Sequence, residues 1–170
     1  MKRLVSVAGA GSLVLAQPAL AREYPIGGPA HAHDMEIAAN YLIGITMAPM
    51  PPGMAMGADV IHLETDVHAT ADNVYGLPDG AWVPYLTVTY RLTKKGADWH
   101  ADGRLWPMTA KDGPHYATDV KMDGPGAYTV TFRYEPPEGN GFLRHTDAET
   151  GVPGWWQPFT EQFVFQYPQT

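Results

Sequence analysis

The clearest pattern in the chain is an alternation of apolar and polar residues over residues 61–68. A two-residue period is typical of a β-strand whose two faces differ. One face is apolar, and the other carries four side chains able to ligate a metal ion: His62, Glu64, Asp66 and His68. Residues two apart on one face lie about 6.5–7 Å apart, so they can converge on one ion. The alternative is a solvated outer face without a ligand.

Similar alternation predicts further short strands at residues 35–45, 82–92, 99–108, 116–122, 127–134 and 159–167. The Pro/Gly-rich residues 22–33 are predicted to form an irregular arm, and residues 47–57 and 135–158 are predicted to be loops. No segment shows the 3.6-residue period of an α-helix. These features predict an all-β fold, specifically an immunoglobulin-like antiparallel β-sandwich.

Residues 1–21 have the features of a secretory signal peptide. Lys2 and Arg3 precede an apolar stretch, and the small residues up to Ala21 suit signal peptidase. We therefore expect export, cleavage after Ala21, and a single metal-binding domain over residues 22–170. The apolar stretch is too short and too rich in Gly and Ala to predict a membrane-spanning helix.

The composition narrows the chemistry of any site. The chain has no cysteine, which excludes thiol catalysis, thiolate zinc sites and Cys-ligated copper sites. Loss of Lys2 and Arg3 changes the formal charge from −7 to −9, and so acidic a surface argues against nucleic acid as a partner. The 7 His and 8 Met favour copper over calcium or magnesium.

Three segments supply candidate metal ligands: His62 with Glu64, then Met108 and His115, then His145. A turn at residues 112–114 can bring His115 back beside Met108, and a thioether with an imidazole suits either copper oxidation state. The alternatives are that Met108 fills the core and that His115 hydrogen-bonds to the turn backbone.

Two weaker candidates lie elsewhere in the chain. The first is the methionine cluster of the second loop: Met47, Met50, Met54 and Met56. A flexible apolar loop or a partner surface is the favoured interpretation of this cluster. The second is the pair His31 and His33 on the N-terminal arm, interpreted as a chance pair.

Motifs across nearly all of the predicted mature chain resemble one family. They lie, in order, at residues 23–27, 35–39, 61–68, 82–86, 107–108, 112–116, 135–137, 144–147 and 149–156. Together they make the chain similar to periplasmic iron-transport proteins of the FetP-like type. These are small exported proteins that serve high-affinity iron uptake with an iron permease.

This resemblance implies a homodimer with a copper site near its interface. The implied copper ligands are His62, Met108, His115 and His145, with Glu64 nearby and one ligand donated by the partner subunit. Relatives commonly carry an acid at the position of Ala48. If that acid binds iron in relatives, this chain lacks the corresponding ligand.

The sequence therefore predicts a periplasmic copper- and iron-binding protein that passes iron to an inner-membrane permease. The copper would be either structural or a redox partner for iron. Two alternatives stay open: a small cupro-oxidase of ferrous iron, and a periplasmic copper buffer or chaperone. The protein itself is not expected to span the membrane.

Overall fold

Eight antiparallel β-strands form the fold in the computed structural model, which describes residues 22–169. The strands are β1 (Tyr24–Ala32), β2 (Met35–Leu42), β3 (Val60–Ala69), β4 (Thr87–Lys94), β5 (His100–Ala110), β6 (Gly113–Lys121), β7 (Gly126–Glu135) and β8 (Phe159–Tyr167). Within residues 22–169, the helical structure is one short 3-10 helix, Pro137–Asn140. The predicted signal peptide lies outside the described residues.

The strands pair in the order β1-β2-β3-β6-β5-β4-β7-β8. Strand β5 joins the two halves of this sheet, because its first part pairs with β4 and its second part pairs with β6. Strands β1 and β8 also approach each other: a Cβ on Gly27 would lie 2.5 Å from Cδ1 of Phe163. The sheet therefore curls around a core of buried aliphatic and aromatic side chains.

Strand β1 corrects the prediction of an irregular N-terminal arm. Residues Tyr24–Ala32 pair with β2 despite two prolines and two glycines. The pairing register shifts between Pro25 and Gly27 and again between Gly27 and Ala30. Bulges and an edge position accommodate residues that lack an N–H or a side chain, so composition alone hid this strand.

The prediction of a strand over residues 82–92 is also only partly right. Strand β4 begins at Thr87, and Trp82 makes an isolated bridge with His68. Between them, Tyr85 adopts φ 62°, in the left-handed region that interrupts a strand. The other predicted strands are present, with ends that differ by a few residues.

The prediction of an all-β antiparallel fold is confirmed. The immunoglobulin-like form of the sandwich stays a prediction. No helix among residues 22–169 is long and apolar enough to cross a membrane.

Candidate metal centre

Strands β3 and β6 bring His62, Glu64 and His115 to one place. The two strands pair with Glu64 opposite Ala117, so His115 lies two residues along β6 on the same face. His62, Glu64 and His115 are 4%, 7% and 7% exposed. This burial overturns the alternative of a solvated outer face at His62 and Glu64.

The three side chains converge closely enough to share an ion. One ligand atom from each lies within 4.8 Å of the others. Nε2 of His115 lies 3.6 Å from Oε2 of Glu64. The two imidazole rings are 6.0 Å apart and nearly perpendicular, at 88°. Buried imidazole and carboxyl groups that converge in this way have the ligand types and spacing of a cation site.

Met108 lies beside this cluster. The β5–β6 hairpin pairs Met108 directly with His115, so the two side chains emerge on the same face. Met108 is half-buried and lies outside the hydrophobic core. With His62, Glu64 and His115 it lines a cavity of about 860 Å³, whose wall also includes the loop around Met47. This placement favours a ligand over the core-filling alternative.

His145 is not part of this cluster in its own chain. It lies on the loop that follows the 3-10 helix, and its side chain is 75% exposed. Its Nδ1 is 2.7 Å from Oγ1 of Thr150 and 3.9 Å from Oδ2 of Asp147. Among the predicted ligands, the described chain thus joins four and leaves His145 facing outward.

A second, acidic cavity of about 260 Å³ adjoins the cluster. Four carboxylates line it: Glu23, Glu64, Asp66 and Asp112. Glu64, Asp112 and His115 line both cavities, so they form the boundary between them. His68 is half-buried at the wall of the acidic cavity.

Burial and mutual repulsion change the acid–base behaviour of this cavity. Burial, followed by the charges of Asp66, Glu23 and Asp112, raises the pKa of Glu64 from 4.5 to about 8. Burial also raises the pKa of Asp66. The pKa of His115 is lowered, chiefly by burial, which favours the neutral imidazole that a metal requires. A cation would relieve the repulsion among these carboxylates.

Comparison with known proteins identifies the family of the chain. The model of the family described as Fe2+ transport protein matches residues 20–168. The chain belongs to the Fe2+ transport protein family. The resemblance inferred from the sequence motifs is therefore confirmed.

Members and structural neighbours of this family match over most of their length. The UPF0423 protein of Brucella abortus strain 2308 is 47% identical over 165 residues, which cover 94% of this chain and 89% of that protein. FetP of uropathogenic Escherichia coli strain F11 is 45% identical, with a TM-score of 0.80 over 86% of this chain and 96% of its own. Copper-reconstituted P19 of Campylobacter jejuni is 43% identical, with a TM-score of 0.82 over 86% and 97%.

The residues of this Fe2+ transport family member also fit copper on their own chemistry. Two imidazoles, the thioethers of Met47 and Met108, and the carboxyl groups of Glu64 and Asp112 line the larger cavity. Imidazole suits both copper oxidation states, and thioether sulfur selects Cu(I). Carboxylates and water, by contrast, suit harder ions, which is the chemistry of the adjoining cavity.

Sequence reasoning missed one close neighbour of the site, Asp119. Its Oδ1 lies 2.7 Å from Nδ1 of His62, and the two residues pair across β3 and β6. The signal was available, because His115, Ala117 and Asp119 alternate along one strand face. This alternation was too weak to predict the contact, because the other face of β6 has no clear apolar period.

The two weaker candidates are not part of the ligand cluster, although Met47 of the methionine loop lines the larger cavity beside it. Met50 and Met56 are exposed at a neighbouring cavity that His62 also borders. His31 pairs with Glu36 on the outer edge of the sheet. His33 lies in the β1–β2 turn, with its ring 4.7 Å from that of Phe159.

Proposed function

We propose that this protein is an exported, periplasmic copper- and iron-binding component of high-affinity iron uptake, which passes iron to an inner-membrane permease. The observation that carries the proposal is the buried convergence of His62, Glu64 and His115 beside Met108. The family description names Fe2+ transport, and FetP, one of the neighbours, was expressed in the periplasm of E. coli. In this proposal the mature chain begins at Arg22.

The soft cavity is the proposed copper position. His62, Met108 and His115 would hold copper, with Glu64 close enough to join them. Copper there would supply either a fixed charge or a Cu(I)/Cu(II) couple for iron. The neighbour P19 is known in a copper-reconstituted form, which supports this choice of metal.

The acidic cavity is the proposed iron position. Glu64 belongs to both cavities, so a cation among the carboxylates would lie next to the copper ligands. Carboxylate oxygens are harder ligands than imidazole or thioether and suit a harder cation. The shared residue offers a physical link between the two ions.

A homodimer would complete the copper site with His145 of the partner subunit. In its own chain His145 is exposed, and the neighbouring Leu143 is 86% exposed. An exposed leucine beside an exposed candidate ligand suits a surface that docks on another subunit. In the same loop the ring of Phe142 stacks on that of Tyr85, with the centroids 5.2 Å apart.

Mixing two variants that each lack one copper ligand tests whether the site is shared between subunits. A His62→Ala chain and a His145→Ala chain each lack one ligand, but their heterodimer should contain one intact site. Random pairing should restore tight copper binding to about a quarter of the wild-type sites, because half of the dimers are mixed and each has one complete site. Copper retained at equilibrium against a chelator measures this fraction, and light scattering measures the mass.

Two results would contradict the shared site. One is no recovery after the variants have been unfolded and refolded together. The other is a monomeric mass for copper-loaded wild-type protein. A His100→Ala chain, altered at an exposed histidine of β5, is the matched control for both variants.

Crystals soaked with copper and iron test the two positions directly. Anomalous scattering at the copper edge should peak among His62, Met108 and His115. Scattering at the iron edge should peak in the acidic cavity beside Glu64. Iron density elsewhere would reject the proposed iron position.

Oxygen consumption by copper-loaded protein with ferrous iron is the complementary measurement. Sustained turnover would show that the protein is a cupro-oxidase and would contradict the proposed role as an iron carrier.

A further inference from the structure

One buried contact between a histidine and a carboxyl group connects the proposed copper site to a residue outside it. Nδ1 of His62 lies 2.7 Å from Oδ1 of Asp119. The side chains of His62 and Asp119 are only 4% and 9% exposed. Their strands pair them directly, so the contact is fixed by the β3–β6 register and does not depend on a flexible loop.

This contact determines which nitrogen of His62 can face a metal. A carboxylate that is ionised only accepts hydrogen bonds, so with Asp119 in that form Nδ1 of His62 is the protonated nitrogen and the donor. Nε2 then keeps its lone pair free. A carboxylate that accepts from the far side of a ligating imidazole fixes the ring and makes it a stronger donor.

We propose that Asp119 is a positioning residue that holds His62 in the Nε2-ligating tautomer and biases the site toward Cu(II). The proposal rests on the proposed copper site. A stronger imidazole donor stabilises the more highly charged ion, whereas the Met108 thioether favours Cu(I). Asp119 and Met108 therefore have opposite effects on the equilibrium between bound Cu(I) and bound Cu(II).

The second imidazole has a different partner: it forms a hydrogen bond to the backbone of Gly113. Nε2 of His115 faces Glu64 at 3.6 Å, and Glu64 itself belongs to the cation site. Within the described chain, Asp119 is thus placed to orient a proposed ligand from outside the ligand cluster. Its loss should change the site without removing a ligand.

Long-range proton–nitrogen NMR of the metal-free protein tests the tautomer without any copper. Nδ1 of His62 should be protonated and Nε2 unprotonated in the wild type. In Asp119→Ala the two tautomers should exchange. A wild-type ring protonated at Nε2 would overturn the proposal, whether or not the protein binds copper.

Copper titration of two Asp119 variants tests the effect on the metal. Asp119→Asn keeps the shape and an acceptor oxygen but removes the charge, whereas Asp119→Ala removes both. Loss of such an outer partner typically costs about 10–100-fold in metal affinity. We expect the Cu(II) affinity of Asp119→Ala to fall by a factor in that range, and that of Asp119→Asn to fall by a smaller factor. In Asp119→Ala the Cu(I) affinity should fall by a factor at least about ten times smaller than the factor for Cu(II). That difference raises the one-electron reduction potential by about 59 mV.

The control is Asp102→Asn, at an exposed aspartate whose Oδ2 lies 3.5 Å from Nε2 of His100. It should leave both affinities and the potential unchanged. Equal losses of Cu(I) and Cu(II) affinity, or no loss of affinity in either Asp119 variant, would show that Asp119 has only a structural role and would overturn the proposal. Absence of copper binding by the wild type would instead reject the proposed copper site, and the NMR result would still decide the tautomer.

Discussion

His115→Ala is expected to remove tight binding of both copper oxidation states, whereas Met108→Leu should weaken Cu(I) far more than Cu(II). Imidazole ligates either ion, so its loss should cost more than the roughly 10–100-fold that removal of an outer partner costs. Leucine replaces the volume of methionine but not its sulfur, and such swaps usually cost less than about 1.5 kcal/mol of stability. The two variants therefore separate a general ligand from a soft one.

Competition against one Cu(I) chelator and one Cu(II) chelator measures these affinities. Met56→Leu is the matched control, because Met56 is 78% exposed and lies outside the larger cavity. Thermal unfolding adds an independent measure: copper at a hundredfold excess over its dissociation constant should stabilise the wild type by about 2.7 kcal/mol. Unchanged affinities in Met108→Leu would remove Met108 from the site and leave the histidines alone.

The half of the site that lies on regular strands could be predicted from the sequence. The alternation around His62 and Glu64 identified their shared face, and the turn at residues 112–114 predicted that His115 returns beside Met108. Both inferences are local, since a two-residue period and a tight hairpin fix side-chain directions over a few residues. The pairing of β6 with β3 brings His115 close to His62, and no local sequence pattern could predict that pairing.

The residues that sequence reasoning missed depend on those long-range pairings. Glu23 reaches the acidic cavity from the segment that was predicted to be an irregular arm. Asp119 became visible as a partner of His62 only with the β3–β6 register. His145 was a candidate ligand from its residue type and from the family resemblance, and the fold of one chain leaves it exposed. Its proposed role depends on a second subunit, which neither periodicity nor one chain can supply.

The position of Glu64 between the two cavities has a cost for the metal-free protein. A carboxyl group with a raised pKa is less stable when ionised in the folded state than in the unfolded chain. Strongly raised pKa values of this kind occur mostly at functional sites, and here a bound cation would offset the unfavourable free energy of the ionised carboxylate. The same group should therefore oppose folding without metal and support binding with it.

Glu64→Gln is accordingly expected to stabilise the metal-free protein at alkaline pH. The folded pKa of Glu64 is raised to about 8, above its ordinary 4.5. Between these values the folded state holds a proton that the unfolded chain releases, so the stability present below pH 4.5 is lost as the pH rises to about 8. The loss is on the order of a few kcal/mol. Glutamine keeps the shape and cannot ionise.

Urea unfolding of metal-free protein at about pH 5 and about pH 9 measures this difference. The wild type should be less stable at the higher pH, and the variant should lose less. A residual slope should persist, because burial also raises the pKa values of Asp66 and Glu23. Glu36→Gln, at an exposed glutamate of β2, is the control and should follow the wild type.

The opposite effect is expected with a hard cation present. Wild-type affinity for Mn2+, used as a redox-stable substitute for ferrous iron, should rise with pH up to about 8, because protons compete for the Glu64 carboxylate. The Gln variant should bind more weakly and show a shallower pH dependence. Equal stability of wild type and variant at both pH values would contradict the raised pKa. Equal Mn2+ affinity would instead place the cation away from Glu64, because a carboxylate that ligates an ion cannot be replaced by a neutral amide without loss.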